Sequence, residues 1–255
     1  MRVDVLNCSF DPLTLQETVD SAFGLLEKGE RGWISTVNVA ILMMMRADPR
    51  LKGFVTKSSL IVADGQPLVW SAPLVGGKLP ERVTGVDLVD AICARAARDH
   101  VGVYFLGATD EIARQAASRI QAAQPTLQLS YSSGYFNKEQ ASAQAARVRQ
   151  SGAKILFVGM GVPRQERFIE DYWDELQVGL AVGVGGSFDV VAGARHRAPK
   201  WVQDIGMEWF FRLIQEPRRL AKRYLVTNSG FIVLLIRAIF SRKFSPASKK
   251  TSLLH

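Results

Sequence analysis

Five short, mainly apolar runs, each ending in a polar or glycine-bearing turn that leads into a helical pattern, constrain this chain more than any other feature. The turns stand at Thr36, Asp64, Gly107, Gln165 and Gly185. Runs such as Leu60–Ala63, 101–106, 154–158 and 179–184 are too short for helices and carry apolar residues on both alternating faces. Strands of that kind must be covered on both sides. Repeated strand, turn and helix units therefore predict an α/β fold, a Rossmann-like and mostly parallel sheet with helices on both faces. In such a sheet the turns after the strands share one edge, so the five polar turns are expected to line a single crevice.

Asp64 is the best single candidate for a catalytic group. It ends the strand 60–63 and is followed by Gly65 and by Pro67 at the start of a helical pattern, although the same place also suits a helix cap. Thr36 ends the strand 32–36 and Asn38 follows it, and they offer a hydroxyl and an amide to a ligand; either could instead cap the Met-rich helix at 40–46. Arg82, in a polar turn near Gly85, suits a phosphate or carboxylate, as well as plain solvation. Gly107 precedes an alanine-rich helix at 111–123, where helix amides could meet phosphate, but the GxGxxG spacing is absent. Gly159 and Gly161 allow close backbone approach before Pro163 opens a helix with Arg164, Gln165 and Glu166 in its first turn. Gly185 and Gly186 repeat that arrangement after the last strand.

Charge divides the chain. The net charge is +8 over 255 residues, and from Trp201 onward ten Lys and Arg face three acidic residues. The expected organisation is an α/β core at 1–195, a basic helical appendage at 196–244 and a flexible tail at 245–255. A local basic segment calls for a polyanionic partner, either nucleic acid or an anionic membrane. The apolar block 231–236, flanked by Arg223, Arg237, Arg242 and Lys243, can lie in a membrane interface but falls short of the roughly 20 residues needed to cross. Cys8 and Cys93 have no metal-ligand spacing and suit a reduced, cytosolic protein, and residues 1–30 show no secretory pattern.

Several longer motifs then occur together and in order: TVN at 36–38, ADGQP at 63–67, LPERVTGVDL at 79–88, GMGVPRQE at 159–166, GVGGSFDVVAGARHRAPKW at 183–201 and GMEWFFRLIQEPRR at 206–219. From about residue 5 to 240 the sequence resembles the WecG/TagA/CpsF glycosyltransferases. The resemblance implies inverting transfer of a sugar from a UDP-sugar donor to a polyprenyl-diphosphate-linked saccharide acceptor at the cytoplasmic face of a bacterial inner membrane. It implies Asp64 as general base, Thr36 and Asn38 as the polar pair beside it, Gln165 as a holder of substrates and Arg82 near the donor. It also implies that some of Arg212, Arg218, Arg219 and Arg223 act from an appendage folded over the active site.

The residues fit that chemistry independently. One positioned carboxylate suffices to take the acceptor's proton. No DxD triplet is present, so arginines and helix N-termini are expected to stabilise the departing diphosphate, without metal or cofactor. Two rivals are a nicotinamide-dependent oxidoreductase, disfavoured by the missing GxGxxG, and a nucleic-acid binder using Trp201, Trp209, Phe210 and Phe211, whose helical spacing fits a packed face better.

Overall fold

The computed structural model describes residues 1–215 and 217–244, without the side chains of Asp204, Arg212, residues 218–224 and residues 242–244. The chain opens with an antiparallel hairpin, β1 (Val3–Val5) and β2 (Cys8–Phe10), separate from the main sheet. Leu6 and Asn7 turn it with φ of 58° and 66°. Two left-handed residues match the twist of a hairpin, but Leu is a poor marker of such a turn, and the sequence predicts only the first strand.

After α1 (Leu15–Glu27) come six strands: β3 (Gly32–Val37), β4 (Leu60–Ala63), β5 (Val103–Gly107), β6 (Leu129–Ser132), β7 (Ile155–Gly159) and β8 (Leu180–Gly183). They form one parallel sheet in the order β4-β3-β8-β7-β5-β6. Between and after them run α2 (Val39–Met45), α3 (Pro49–Thr56), α4 (Gln66–Ser71), α5 (Gly85–Arg98), α6 (Asp110–Ala123), α7 (Ala141–Gln150), α8 (Arg164–Leu176) and α9 (Ser187–Val191). Alternation along each strand feeds two cores. Leu156 and Val158 of β7 join the core under α2, α3, α7 and α8, while Ile155 and Phe157 join the core under α1, α5, α6 and α9. Phe105 centres the second core, with ring centroids 5.6 Å from Phe157 and 4.8 Å from Phe188.

Caps fix where the helices start. Thr14 and Glu17 form a capping box on α1, Asp48 caps α3 ahead of Pro49, and Thr84 and Thr109 cap α5 and α6. One start differs from the sequence pattern, in which Asn137 reads as the cap of a helix over 137–150. Asn137 and Gln140 exchange side-chain to backbone hydrogen bonds of 3.1 and 3.0 Å, making a closed turn, and α7 begins only at Ala141. At the edge of the sheet, Asp11 pairs with Ile61 through backbone and carboxylate, both at 2.8 Å, and so occupies the open side of β4.

The C-terminal segment holds α10 (Lys200–Asp204), α11 (Glu208–Gln215) and α12 (Pro217–Phe244). The aromatic run 201–215 reads in the sequence as helical throughout, but it is broken at Gly206, whose φ is 72°. The apolar block 231–236 is divided between two faces. Phe231 is buried, and Leu234, Leu235 and Ala238 pack with it against the core beside α2, while Ile232, Val233, Ile236 and Phe240 are exposed. A Cβ on Gly230 would lie 2.8 Å from the Met43 methyl, so α12 approaches α2 closely there. Among the described residues no helix is long and apolar enough to cross a membrane. The tail 245–255 lies outside the described residues.

Candidate active site

Strand register determines which turns meet. Val37 pairs with Ala63, Ser35 with Gly183, Val158 with Gly183 and Gly107 with Gly159, so five strands end along one edge. Helices leave this edge in alternating directions, α2 and α8 to one face and α6 and α9 to the other, which opens a crevice between them. It has a volume of about 530 Å³, within the range of small-molecule sites. Thr36, Asn38, Asp64, Gly159, Gly161, Arg164, Gln165, Gly185 and Gly186 all line it.

Asp64 stands one residue beyond the last β4 pair, and its N–H donates to the Val37 carbonyl at 2.9 Å, which brings it beside Asn38. The N-cap of α4 is Gly65, so Asp64 precedes the cap rather than filling it. Thr36 and Asn38 carry structural bonds as well as lining the crevice. The Thr36 hydroxyl donates to the Gly183 carbonyl at 3.0 Å, and the Asn38 Oδ1 accepts from the Ile41 N–H at 3.1 Å, capping α2. Each keeps further hydrogen-bonding capacity towards the cavity.

Gln165 is 2% exposed. Its Oε1 accepts from the N–H groups of Gly161 at 3.2 Å and Gly185 at 3.0 Å, while its Nε2 donates to Glu166 Oε1 at 2.8 Å. One side chain thus ties together the two glycine loops that follow β7 and β8. Gly161 (φ 78°) and Gly185 (φ 53°) are left-handed, which lets both amides point at the same oxygen. Gly107 does not line the crevice. A Cβ on it would come within 2.5 Å of Gly159, so its small size serves the approach of β5 to β7. Gly159 in turn lies against the Phe188 ring.

Arg82 also lies outside the crevice lining. Its Nη1 donates to Glu208 Oε2 at 2.6 Å, with the two side chains 15% and 8% exposed. Arg197 extends this contact. It makes two bonds to Asp87, at 2.6 and 2.8 Å, and its Nε lies 3.8 Å from Glu208. Burial opposes the charge on Asp87, but the Arg197 and Thr84 hydrogen bonds outweigh it and hold the carboxyl below its ordinary range. The network joins α5 and the turn before it to the start of α11. The sequence motifs contain all four residues, yet nothing in their spacing signals that they meet.

Several lining residues escaped the sequence reading. Thr109 and Ala108 bring the amino end of α6 to the crevice, Tyr135 stands exposed at its rim, and Asp189 and Arg195 close the side next to Gly186. Arg164 donates to the Phe136 carbonyl at 2.7 Å with its guanidinium 5.0 Å from the Phe136 ring, which holds that loop over the crevice. Proximity of Asp189 and Arg195 to a glycine turn was the only available signal. The side chains of Arg212, Arg218, Arg219 and Arg223 lie outside the described residues. Among the described residues no cluster of three or more His, Cys, Asp or Glu could hold a metal ion.

The sequence model of the glycosyl transferase WecG/TagA/CpsF family matches residues 3–245, and the chain belongs to that family.

Proposed function

We propose that the protein is an inverting, membrane-associated hexosyltransferase. It moves a sugar from a UDP-sugar, whose sugar is N-acetylmannosamine, its uronic acid or glucose, to a polyprenyl-diphosphate-linked saccharide in the synthesis of a bacterial cell-surface polysaccharide. The observation that carries this reading is the arrangement of the crevice. A carboxylate, Asp64, stands with Thr36 and Asn38 at the β4 and β3 end, and the amino ends of α6 and α8 stand at the β5 and β7 end.

In this reading the donor's diphosphate lies towards the helix amides, where N–H groups and Arg164 and Arg195 favour negative charge. Asp64 takes the proton from the acceptor hydroxyl as that oxygen attacks the anomeric carbon. The bond from that carbon to the β-phosphate oxygen breaks with its electron pair, and UDP leaves from the opposite face. Gly159, Gly161, Gly185 and Gly186 shape the donor side, with Gly107 supporting them from beneath. Arg82 acts through its bond to Glu208, and Arg212, Arg218, Arg219 and Arg223 are carried by α11 and α12 as candidates for the acceptor's diphosphate. The absence of a DxD triplet supports a metal-independent reaction without cofactor. Loss of activity on EDTA treatment, restored by a divalent ion, would overturn that part.

Exposed Ile232, Val233, Ile236 and Phe240, together with the basic charge of the segment, support peripheral attachment to an anionic membrane at its cytoplasmic face. Flotation with anionic liposomes over a salt series, run beside a nucleic-acid shift assay, separates this from nucleic-acid binding. The reaction itself is tested by UDP release with a panel of UDP-sugars and a short-chain polyprenyl-diphosphate saccharide, beside Asp64→Asn. We expect release that needs both substrates and falls by about 10²–10⁴ in the variant, with donor binding retained. Full activity in Asp64→Asn would remove Asp64 from the role of base.

A further inference from the structure

Beneath the crevice floor, the Gln165–Glu166 pair has an oxygen left over. Glu166 is 7% exposed; its Oε1 accepts from Gln165, and its Oε2 is buried without a hydrogen-bond partner. It borders a cavity of about 10 Å³ that it shares with Ser35, Thr36 and Gly183. Among the described residues no cation forms an ion pair with it, although Arg50 and Arg167 stand near it. On α3, Arg50 is taken by Glu170 and Asp171, and on α8 Arg167 is paired with Asp48. The residues of β3, β8 and α2 that line the cavity are not ionisable. An ionised carboxylate with one buried oxygen that no protein group pairs is far costlier in such a place than a neutral acid. Burial accordingly pushes the Glu166 carboxyl up to about 7, against the pull of the Gln165 hydrogen bond and its own N–H.

We propose that Glu166 is a positioning residue that works as a neutral acid, fixing the Gln165 amide and, through it, the Gly161 and Gly185 loops on the donor side of the crevice. The chain of contacts is continuous: Glu166 Oε1 orients the Gln165 Nε2, which leaves Gln165 Oε1 facing both loop amides. Thr36 borders both the crevice and the small cavity, so a charge formed below is one side chain away from the site above. Ionisation strains this arrangement, and relief requires the amino end of α8 to open towards water. The donor-binding consequence rests on the function proposed above; the protonation state of Glu166 does not.

The test uses the full-length protein, Glu166→Gln, which stays neutral and keeps the hydrogen bonds, and Glu166→Leu, which leaves the Gln165 Nε2 without its acceptor. Melting temperature, kcat and donor KM are followed from about pH 5.5 to 9. For the wild type we expect stability to fall relative to Glu166→Gln as pH rises from about 4.5 to about 7 and to lose no more above it, because in that window the native state holds a proton that the unfolded state has released. Donor KM should stay flat below about pH 7 and rise above it, by up to about tenfold per pH unit, while Glu166→Gln stays flat throughout and kcat changes little. Glu166→Leu should raise KM at every pH and speed amide exchange at Gly161 and Gly185. Parallel melting curves for the wild type and Glu166→Gln would overturn the neutral acid. Diverging melting curves with coincident KM profiles would reduce Glu166 to a stabilising residue and overturn its positioning role. If no UDP-sugar is turned over, the function reading fails, while melting and amide exchange still decide whether neutral Glu166 holds the loops.

Discussion

Glu208→Gln removes one charge from the contact that joins the C-terminal helices to the core. The Glu208 and Arg82 side chains are 8% and 15% exposed and meet at 2.6 Å, and Arg82 makes no other ion pair among the described residues. Arg197 keeps its two bonds to Asp87. The substitution therefore strands one largely buried guanidinium. Opposite charges about 4 Å apart at an effective dielectric near 20 attract by about 4 kcal/mol. Removing one partner of a buried pair costs about 3–5 kcal/mol, against less than about 1 for an exposed pair. The residual exposure here points to the lower end, about 3 kcal/mol.

If that loss is confined to docking of α11 and α12, it shifts their equilibrium by a factor of about 150. Hydrogen exchange then speeds in those helices and not in β5 or β7. If it is felt globally, melting falls by about 6–12 °C for a chain of this size. Replacing Arg82 and Glu208 together by Met removes the stranded charge and should recover most of the loss. Unchanged exchange in α11 and α12, with melting within about 1 °C of the wild type, would refute the argument that charge holds this segment.

Two further substitutions test the site and the C-terminal helix. Gln165→Leu deprives the Gly161 and Gly185 amides of their acceptor; we expect a loss of about 2–4 kcal/mol and faster exchange at those two amides, measured by denaturant unfolding and hydrogen exchange. Phe231→Ala, at a position 6% exposed, should cost about 3–5 kcal/mol in denaturant unfolding. Ile236→Ser, at 48% exposed, should leave stability within about 0.5 kcal/mol but weaken liposome flotation, and a reversed pattern would mean that α12 presents its other face to the membrane.

Much of the candidate site is legible in the sequence because each part is local. A short apolar run followed by Asp64-Gly65, or by Gly159 to Gln165, announces a strand end and a helix start. Parallel topology then requires those ends to share an edge. The roles within the site are less local. Asn38 reads as a ligand group or, on the residues alone, more readily as a cap, and the structure gives it the cap while leaving it on the crevice wall. Arg82 reads as a phosphate or carboxylate contact, or as plainly solvated, because its neighbours are polar, whereas its partner Glu208 is 126 residues away. The apolar block 231–236 has a uniform composition, so only packing against α2 decides that Phe231 turns inward and Ile232 outward.

By itself, the sequence determined the six strands of the main sheet, most helix starts and the family, since short-range apolar patterning, capping residues and the order of motifs need no knowledge of what lies across the fold. Tertiary structure alone decided that Gln165 joins two loops, that Glu166 is buried with an unpartnered oxygen, and that Arg82 and Arg197 dock the C-terminal helices. The physical reason is that burial and charge pairing depend on which distant segments the sheet order β4-β3-β8-β7-β5-β6 brings together, and a side chain's environment is a property of that non-local pairing.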